Sequence, residues 1–217
     1  MLEHFYYPIK EFIELKNKND EKLLQEVNNK YKLNIKDKNI NKLILSRKKL
    51  GNEGLNDLSK IEFKELKELN WGGNNISDIK LLVKAKFDKL EILDLGDNQI
   101  SDINIFENVN FKELKHLYLD YNKILNIKIL EKFKFNKLEI LNLVGNQISD
   151  INILEKVNFN ELKKLNLGGN NISDIKVLEK VKFNKLEILI LENNQISENQ
   201  KATIISKLKS KINKLLI

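Results

Sequence analysis

The stretch Leu90-Glu91-Ile92-Leu93-Asp94-Leu95-Gly96-Asp97-Asn98-Gln99-Ile100 decides the reading of this chain. Its skeleton, L-x-x-L-x-[LW]-x-x-N-x-I, occurs six times, opened by Leu66, Leu90, Leu114, Leu138, Leu162 and Leu186 at a fixed step of 24 residues. Leu93 and Leu95 are two apart, so on a strand both point to one face. A unit of one short strand and a return segment cannot bury that face alone, so successive units must stack and share a core. The expectation is a coil of repeats built in one direction.

The rest of the unit supports it. Asn98 falls where the chain leaves the strand, and its equivalents are all asparagine: Asn74, Asn122, Asn146, Asn170 and Asn194. A buried amide is costly unless its hydrogen bonds are met, so these six should form a ladder bonding turn backbone in their own and the adjacent unit. Ile100 and its equivalents then return to the core. Ser77-Asp78, Ser101-Asp102, Ser149-Asp150 and Ser173-Asp174 come next, as candidate N-caps for a short helix or 3₁₀ segment on the outer side. A phenylalanine closes each unit (Phe63, Phe87, Phe111, Phe135, Phe159, Phe183). Stacked rings of this kind contribute on the order of 2 kcal/mol each.

Units alternate in charge around the opening leucine. Glu65-Leu66-Lys67, Glu113-Leu114-Lys115 and Glu161-Leu162-Lys163 take turns with Lys89-Leu90-Glu91, Lys137-Leu138-Glu139 and Lys185-Leu186-Glu187. With strands about 4.8 Å apart, opposite charges face each other at each junction, and a slip by one unit sets like against like. This is read as control of register.

The ends differ from the body. Residues 1–39 are expected to form a helical N-terminal cap, with helices over 8–15, where Pro8 suits a first turn, and over 20–31, where Leu23, Leu24, Val27 and Tyr31 make an apolar stripe. Residues 40–197 hold about seven repeats. The first is degenerate, with Lys48 in the asparagine position and Gly51 and Gly54 marking a modified turn. Residues 198–217 are expected to be a C-terminal capping helix, from the spacing of Ile205, Leu208, Ile212 and Leu215.

Composition narrows the function. The chain has 217 residues, no cysteine and a net charge of +7. Residues 66–191 carry 19 cations against 18 anions, so the surplus sits at the ends. A nucleic-acid binder shows a basic stripe along its binding face, and the array has none. No apolar run approaches the roughly 18 residues of a membrane span, and the first residues do not resemble a secretory signal. The absence of cysteine suits a reducing compartment, and a cytoplasmic protein is expected.

Residues alternating with the core leucines face outward on the strands. One column reads Glu68, Ile92, His116, Ile140, Lys164, Ile188; the next reads Asn70, Asp94, Tyr118, Asn142, Asn166, Ile190. Asp97, Asp120 and Tyr121 follow at strand exits. Asp94, Asp97, His116, Tyr118, Asp120 and Tyr121 thus form an acidic and aromatic patch, with Ile92, Ile140 and Ile188 adding apolar area. Aromatic anchors beside charge are what protein interfaces favour at their centres. With Asn142, Lys164 and Ile190 these are the candidate partner-binding residues; the bland reading is a solvated face. Chemistry fares worse. His116 is the one histidine of the array, no nucleophile accompanies it, and Asp94, Asp120 and His116 make a poor ligand set for a metal. Gly72-Gly73 and Gly168-Gly169 lack the spacing of a phosphate-cradling loop. Trp71 takes a core leucine position.

The period and the placement of leucines and asparagine match the leucine-rich repeat pattern. The run Asn98-Gln99-Ile100-Ser101-Asp102-Ile103, echoed from Asn146 and Asn170, resembles the repeats of internalin-like proteins and is similar to those of the leucine-rich regulatory subunit of protein phosphatase 1, in a 24-residue variant. The resemblance covers roughly residues 40–197. It implies an α/β leucine-rich repeat solenoid: a curved right-handed coil with a parallel concave sheet, short helices or 3₁₀ segments on the convex side and helical caps. It also implies a non-enzymatic scaffold that binds a partner protein on the concave face, with no cofactor, no metal and no small-molecule substrate. The alternative is a peripheral membrane or nucleic-acid binder acting through the basic terminal segments.

Overall fold

A computed structural model describes residues 18–181, 184–208 and 212–217. Eight three-residue strands form one parallel sheet in chain order: β1 (Lys42–Ile44), β2 (Glu68–Asn70), β3 (Ile92–Asp94), β4 (His116–Tyr118), β5 (Ile140–Asn142), β6 (Lys164–Asn166), β7 (Ile188–Ile190) and β8 (Lys214–Leu216). Central leucines lie in register, Leu69 beside Leu93 beside Leu117 beside Leu141. Each is buried while the residues flanking it are half-exposed. The alternation read from the sequence is therefore the inside and outside of one sheet.

The asparagine ladder is built as the buried amide demands. Asn122 Nδ2 donates to the carbonyls of Leu119 and Asp120 in its own coil and of Leu95 in the coil before, at 2.9–3.1 Å. Its Oδ1 accepts from the Ile100 N–H at 2.9 Å. The same set recurs at Asn98, Asn146 and Asn170. Every amide thus bonds two coils together, and a coil cannot shift without orphaning buried groups. Beneath the ladder, Phe63, Phe87, Phe111 and Phe135 stack with centroids 6.3–6.4 Å apart. Phe183 lies outside the described residues. Trp71 is fully buried, edge-on to Phe87 at 6.4 Å, with no hydrogen-bond partner for its Nε1 among the described residues.

On the far side the chain runs through 3₁₀ segments at Lys80–Lys84, Asn104–Glu107, Lys128–Lys132, Asn152–Glu155 and Lys176–Glu179. The Ser-Asp pairs act at a different position from the expected N-cap. Asp78, Asp102, Asp150 and Asp174 each accept from the N–H two residues on at 2.9–3.0 Å, an Asx turn that starts the segment. The residue between is an isoleucine turned into the core, which has no polar atom to cap with. The serines stay exposed.

Charge alternation produces ion pairs between neighbouring coils. Lys89 meets Glu65 at 2.7 Å, Lys137 meets Glu113 at 2.6 Å and Lys185 meets Glu161 at 2.7 Å. In the column after the leucine, Glu91 takes both Lys67 and Lys115. These are exposed pairs of modest worth, about 0.2–1 kcal/mol each, so their value lies in register.

The ends depart from expectation in two places. Gly51 does turn the chain, at φ +58°, but the turn opens an α-helix, Gly51–Leu58, which includes Gly54 and was not expected; Gly54, Leu55 and Leu58 bury one side of it in the first coil. At the other end the capping helix is shorter than residues 198–217. It spans Glu198–Leu208, and the chain then returns as β8 beside β7. A helix over the full stretch would leave the backbone edge of β7 unpaired, and strand pairing satisfies it. With the described helical residues 18–31 as α1, the other two helices are α2 and α3. Helix α1 buries Leu24 and Val27 on the first coil and is tied by Asp20 to Lys38 at 2.8 Å. Burial pushes the Asp57 carboxyl of α2 up, but bonds from Lys30, Lys60 and Tyr31 outweigh it and hold it down to about 2. The helix expected over 8–15 lies outside the described residues.

Candidate functional site

The outward columns form one continuous face. Register puts Ile92 beside His116, His116 beside Ile140, Ile140 beside Lys164 and Lys164 beside Ile188. The second column runs Asp94, Tyr118, Asn142, Asn166, Ile190. These ten side chains are half-buried. Asp120, just past the strand, is half-buried too, whereas Asp97 and Tyr121 are exposed on the turns that leave the strands. The isoleucines therefore offer less free apolar area than the sequence implied, because neighbours on the sheet shield them.

Polar side chains on this face are tied to the turns. Asp94 accepts from the Gly96 N–H at 2.9 Å and from Asn70 Nδ2 at 2.7 Å. Asn166 accepts from the Gly168 N–H in the same way. Tyr118 breaks this column, and Asp120 takes Asn142 Nδ2 instead at 2.9 Å. A Cβ at Gly96 would come within 2.9 Å of the Asp120 carboxylate, so glycine there makes room for it. Burial pushes the Asp94 carboxyl up against the bond from Gly96. Burial does the same at Asp120, helped by the charges of Asp94 and Asp97. Tyr118 is raised by burial and by Asp94, Asp120 and Glu68, and burial holds the His116 imidazolium below its ordinary range. The two rings meet edge to face at 6.3 Å.

Among the described residues no group of three or more His, Cys, Asp or Glu is placed to hold a metal ion. No described helix is long and apolar enough to cross a membrane. At the C-terminal end, Lys201 pairs with Glu198 and Lys207 with Glu179, so part of that basic surplus is taken up within the fold.

Sequence reading overlooked two features. Leu125 is 61% exposed in a position that serine holds at 77, 101, 149 and 173; that substitution was the available signal. Tyr121 has φ +50°, the left-handed region. Its ring lies over Gly145, where a Cβ would fall 2.5 Å from the ring. Only the folded turn shows this.

No family model and no curated protein matches the chain. Solved structures do. An internalin (inlF) from Listeria monocytogenes is 26% identical, with a TM-score of 0.53 over 75% of this chain and 56% of that one. The present chain thus spans little more than half of it. Internalin C2 from the same organism is 26% identical, with a TM-score of 0.60 over 82% of this chain and 79% of that one. A plant ice-binding protein, 21% identical with a TM-score of 0.52, shares the fold alone. The 24-residue phrase, the stacked parallel strands with their asparagine ladder and the likeness to these internalins make the chain a leucine-rich repeat protein.

Proposed function

We propose that the chain is a non-enzymatic protein-interaction module that holds a folded partner against the outward face of its sheet. The observation that carries this is the centre of that face. His116 and Tyr118 stand edge to face, between Ile92 and Ile140 and beside the carboxylates of Asp94 and Asp120. Half-buried aromatic side chains ringed by polar groups are the composition of interface centres. Burial disfavours the Asp94 and Asp120 charges, and their bonds to Gly96, Asn70 and Asn142 hold both carboxylates in place beside the rings.

The test is affinity capture from native lysate, with the wild type beside Tyr118→Ala/Ile140→Ala. Loss of the captured protein, with thermal unfolding still cooperative, is the expected result. Undiminished capture removes the sheet face as the contact.

A further inference from the structure

We infer that the turn leaving β1 is a second contact surface, on which Arg47, Lys48 and Lys49 hold an acidic protein segment whose apolar residue rests on Ile44. This rests on the reading of the chain as a protein-binding module, but not on the middle of the sheet face being the contact.

Ile44 ends β1 and is 45% exposed, although Asn70 and Asp94 hold its column in the next two coils. Beyond it Arg47, Lys48 and Lys49 are all exposed. The same three positions hold Gly73, Asn74 and Asn75 in the second coil and Gly169, Asn170 and Asn171 in the sixth. Across all the other coils they hold a single cation, Lys123. A ladder asparagine bonds the coil before its own; no strand precedes β1 in the sheet, which frees this position for Lys48. The backbone beneath the three side chains is nevertheless fixed to the second coil. The Arg47 N–H donates to the Gly72 carbonyl at 2.9 Å, and the Gly51 N–H donates to the Asn74 carbonyl at 2.9 Å. The Lys48 and Leu50 N–H groups donate to Asn74 Oδ1 at 3.0 and 3.3 Å. A turn held in this way presents its cations with little backbone left to order on binding.

Charge selects the occupant. None of the three cations forms an ion pair among the described residues. Carboxylates of the surrounding elements are already taken: Glu53 and Asp57 by Lys30, Glu68 by Lys42 and Glu65 by Lys89. A Cβ at Gly73 would stand 2.8 Å from Arg47 Cγ and 3.5 Å from Asp97 Oδ2, so Asp97 flanks the stem of Arg47, yet no ion pair joins them. Three unpaired cations in succession suit carboxylates, which a guanidinium binds through two parallel N–H groups. Along the rim the sign then changes, at Asp97 and again at Asp120. A nucleic-acid strand or an anionic bilayer carries continuous charge and meets those carboxylates as it extends, whereas a short acidic segment ends before them. Residues 44–49 reach at most about 18 Å, so a segment of about six residues covers Ile44 and the three cations.

The probes are fluorescein-labelled nonapeptides with a central leucine flanked by aspartate and glutamate, matched series flanked by serine or lysine, a short single-stranded oligonucleotide and phosphatidylserine vesicles. Binding is read by anisotropy, or by co-sedimentation for the vesicles, at about 150 mM salt. Arg47→Gly/Lys48→Asn/Lys49→Asn writes into the first coil what the second coil holds at the same positions. Lys112→Gln/Lys134→Gln/Lys156→Gln removes the same charge from exposed lysines of later coils. The expected result is binding of the acidic series alone, weakened about tenfold or more in the turn variant and less in Ile44→Asn. The charge-matched variant and the sheet-face variant Tyr118→Ala/Ile140→Ala should bind as the wild type does. Lys48→Asn/Lys49→Asn carries the test if the triple change alters folding. Three results overturn the proposal: no binding at millimolar acidic peptide, equal loss in the charge-matched variant, or tighter binding of oligonucleotide or vesicles than of the acidic peptide. Each of these leaves the sheet-face reading to its own capture test, whereas peptide binding lost in the turn variant, with lysate capture undiminished in the sheet-face variant, keeps this proposal and overturns that reading.

Discussion

The coil that opens at Leu114 and the coil that opens at Leu162 are the same object inside and different objects outside. Inside, Leu117 matches Leu165, Leu119 matches Leu167, and Asn122 and Asn170 make the same bonds. Outside, His116 stands against Lys164, Tyr118 against Asn166, Asp120 against Gly168, Tyr121 against Gly169 and Leu125 against Ser173. Stacking constrains whatever faces the shared core, and a side chain facing water is free of that constraint. What the outer positions of the first coil carry is therefore not required by the fold, and this is the physical basis for reading them as a contact surface.

The strongest way to break the comparison is to strip the ladder at both coils. Asn122→Ala and Asn170→Ala each orphan a buried N–H and two or more carbonyls. At roughly 1–3 kcal/mol per abandoned group, each should cost about 3 kcal/mol or more. Denaturant unfolding should return equal losses, and a gap above about 1 kcal/mol would show that the two interiors are not equivalent.

A sharper probe separates the outsides. Gly145→Ala meets the Tyr121 ring at 2.5 Å, whereas Gly169→Ala finds nothing nearer than 3.5 Å, and both positions have positive φ. The second change should cost about 1 kcal/mol, the strain of a left-handed residue. The first should cost about 2–3 kcal/mol through added crowding. In the Tyr121→Gly background the two should fall together, and a persistent difference would mean that the ring does not rest where the structure puts it.

The smallest effect is electrostatic. Burial and neighbouring carboxylates raise the native pKa of Asp120 above its unfolded value near 3.9. The folded state therefore binds that proton more tightly, and stability is lost as pH rises through the window between the two values. Asp120→Asn keeps the acceptor for Asn142 and removes the penalty. Melting curves should show a slightly higher Tm than wild type at pH 7, with the gap closing toward pH 4. A variant less stable at pH 7 would contradict the sign.

Most of the array was legible beforehand because its rules are local and repeated. The step between leucines gave the strands, their parallel order and the facing of Ile92, His116, Tyr118 and Ile140. The ladder followed from the cost of burying Asn98 and its kin unbonded. Interruptions of the period were harder. Helix α2 at Gly51–Leu58 hid behind two glycines: Gly51 makes the left-handed turn that opens it, and the low helix propensity of Gly54 is overridden by burial of Leu55 and Leu58. Strand β8 hid behind a helical spacing of Ile205, Leu208, Ile212 and Leu215, since a period of three or four says nothing about a partner strand elsewhere. Leu125 was passed over although its departure from serine was visible.

Taken alone, then, the sequence determined that the chain is a stack of 24-residue coils with leucine, isoleucine, phenylalanine and asparagine inside and a mixed column outside. Periodicity carries that information, and each coil repeats it. The tertiary structure decided which lysine pairs with which glutamate, that the last strand extends the sheet, and that Tyr121 turns left-handed over Gly145. Those outcomes depend on atoms brought together from positions roughly 24 residues or more apart, and such meetings exist only once the coils have stacked.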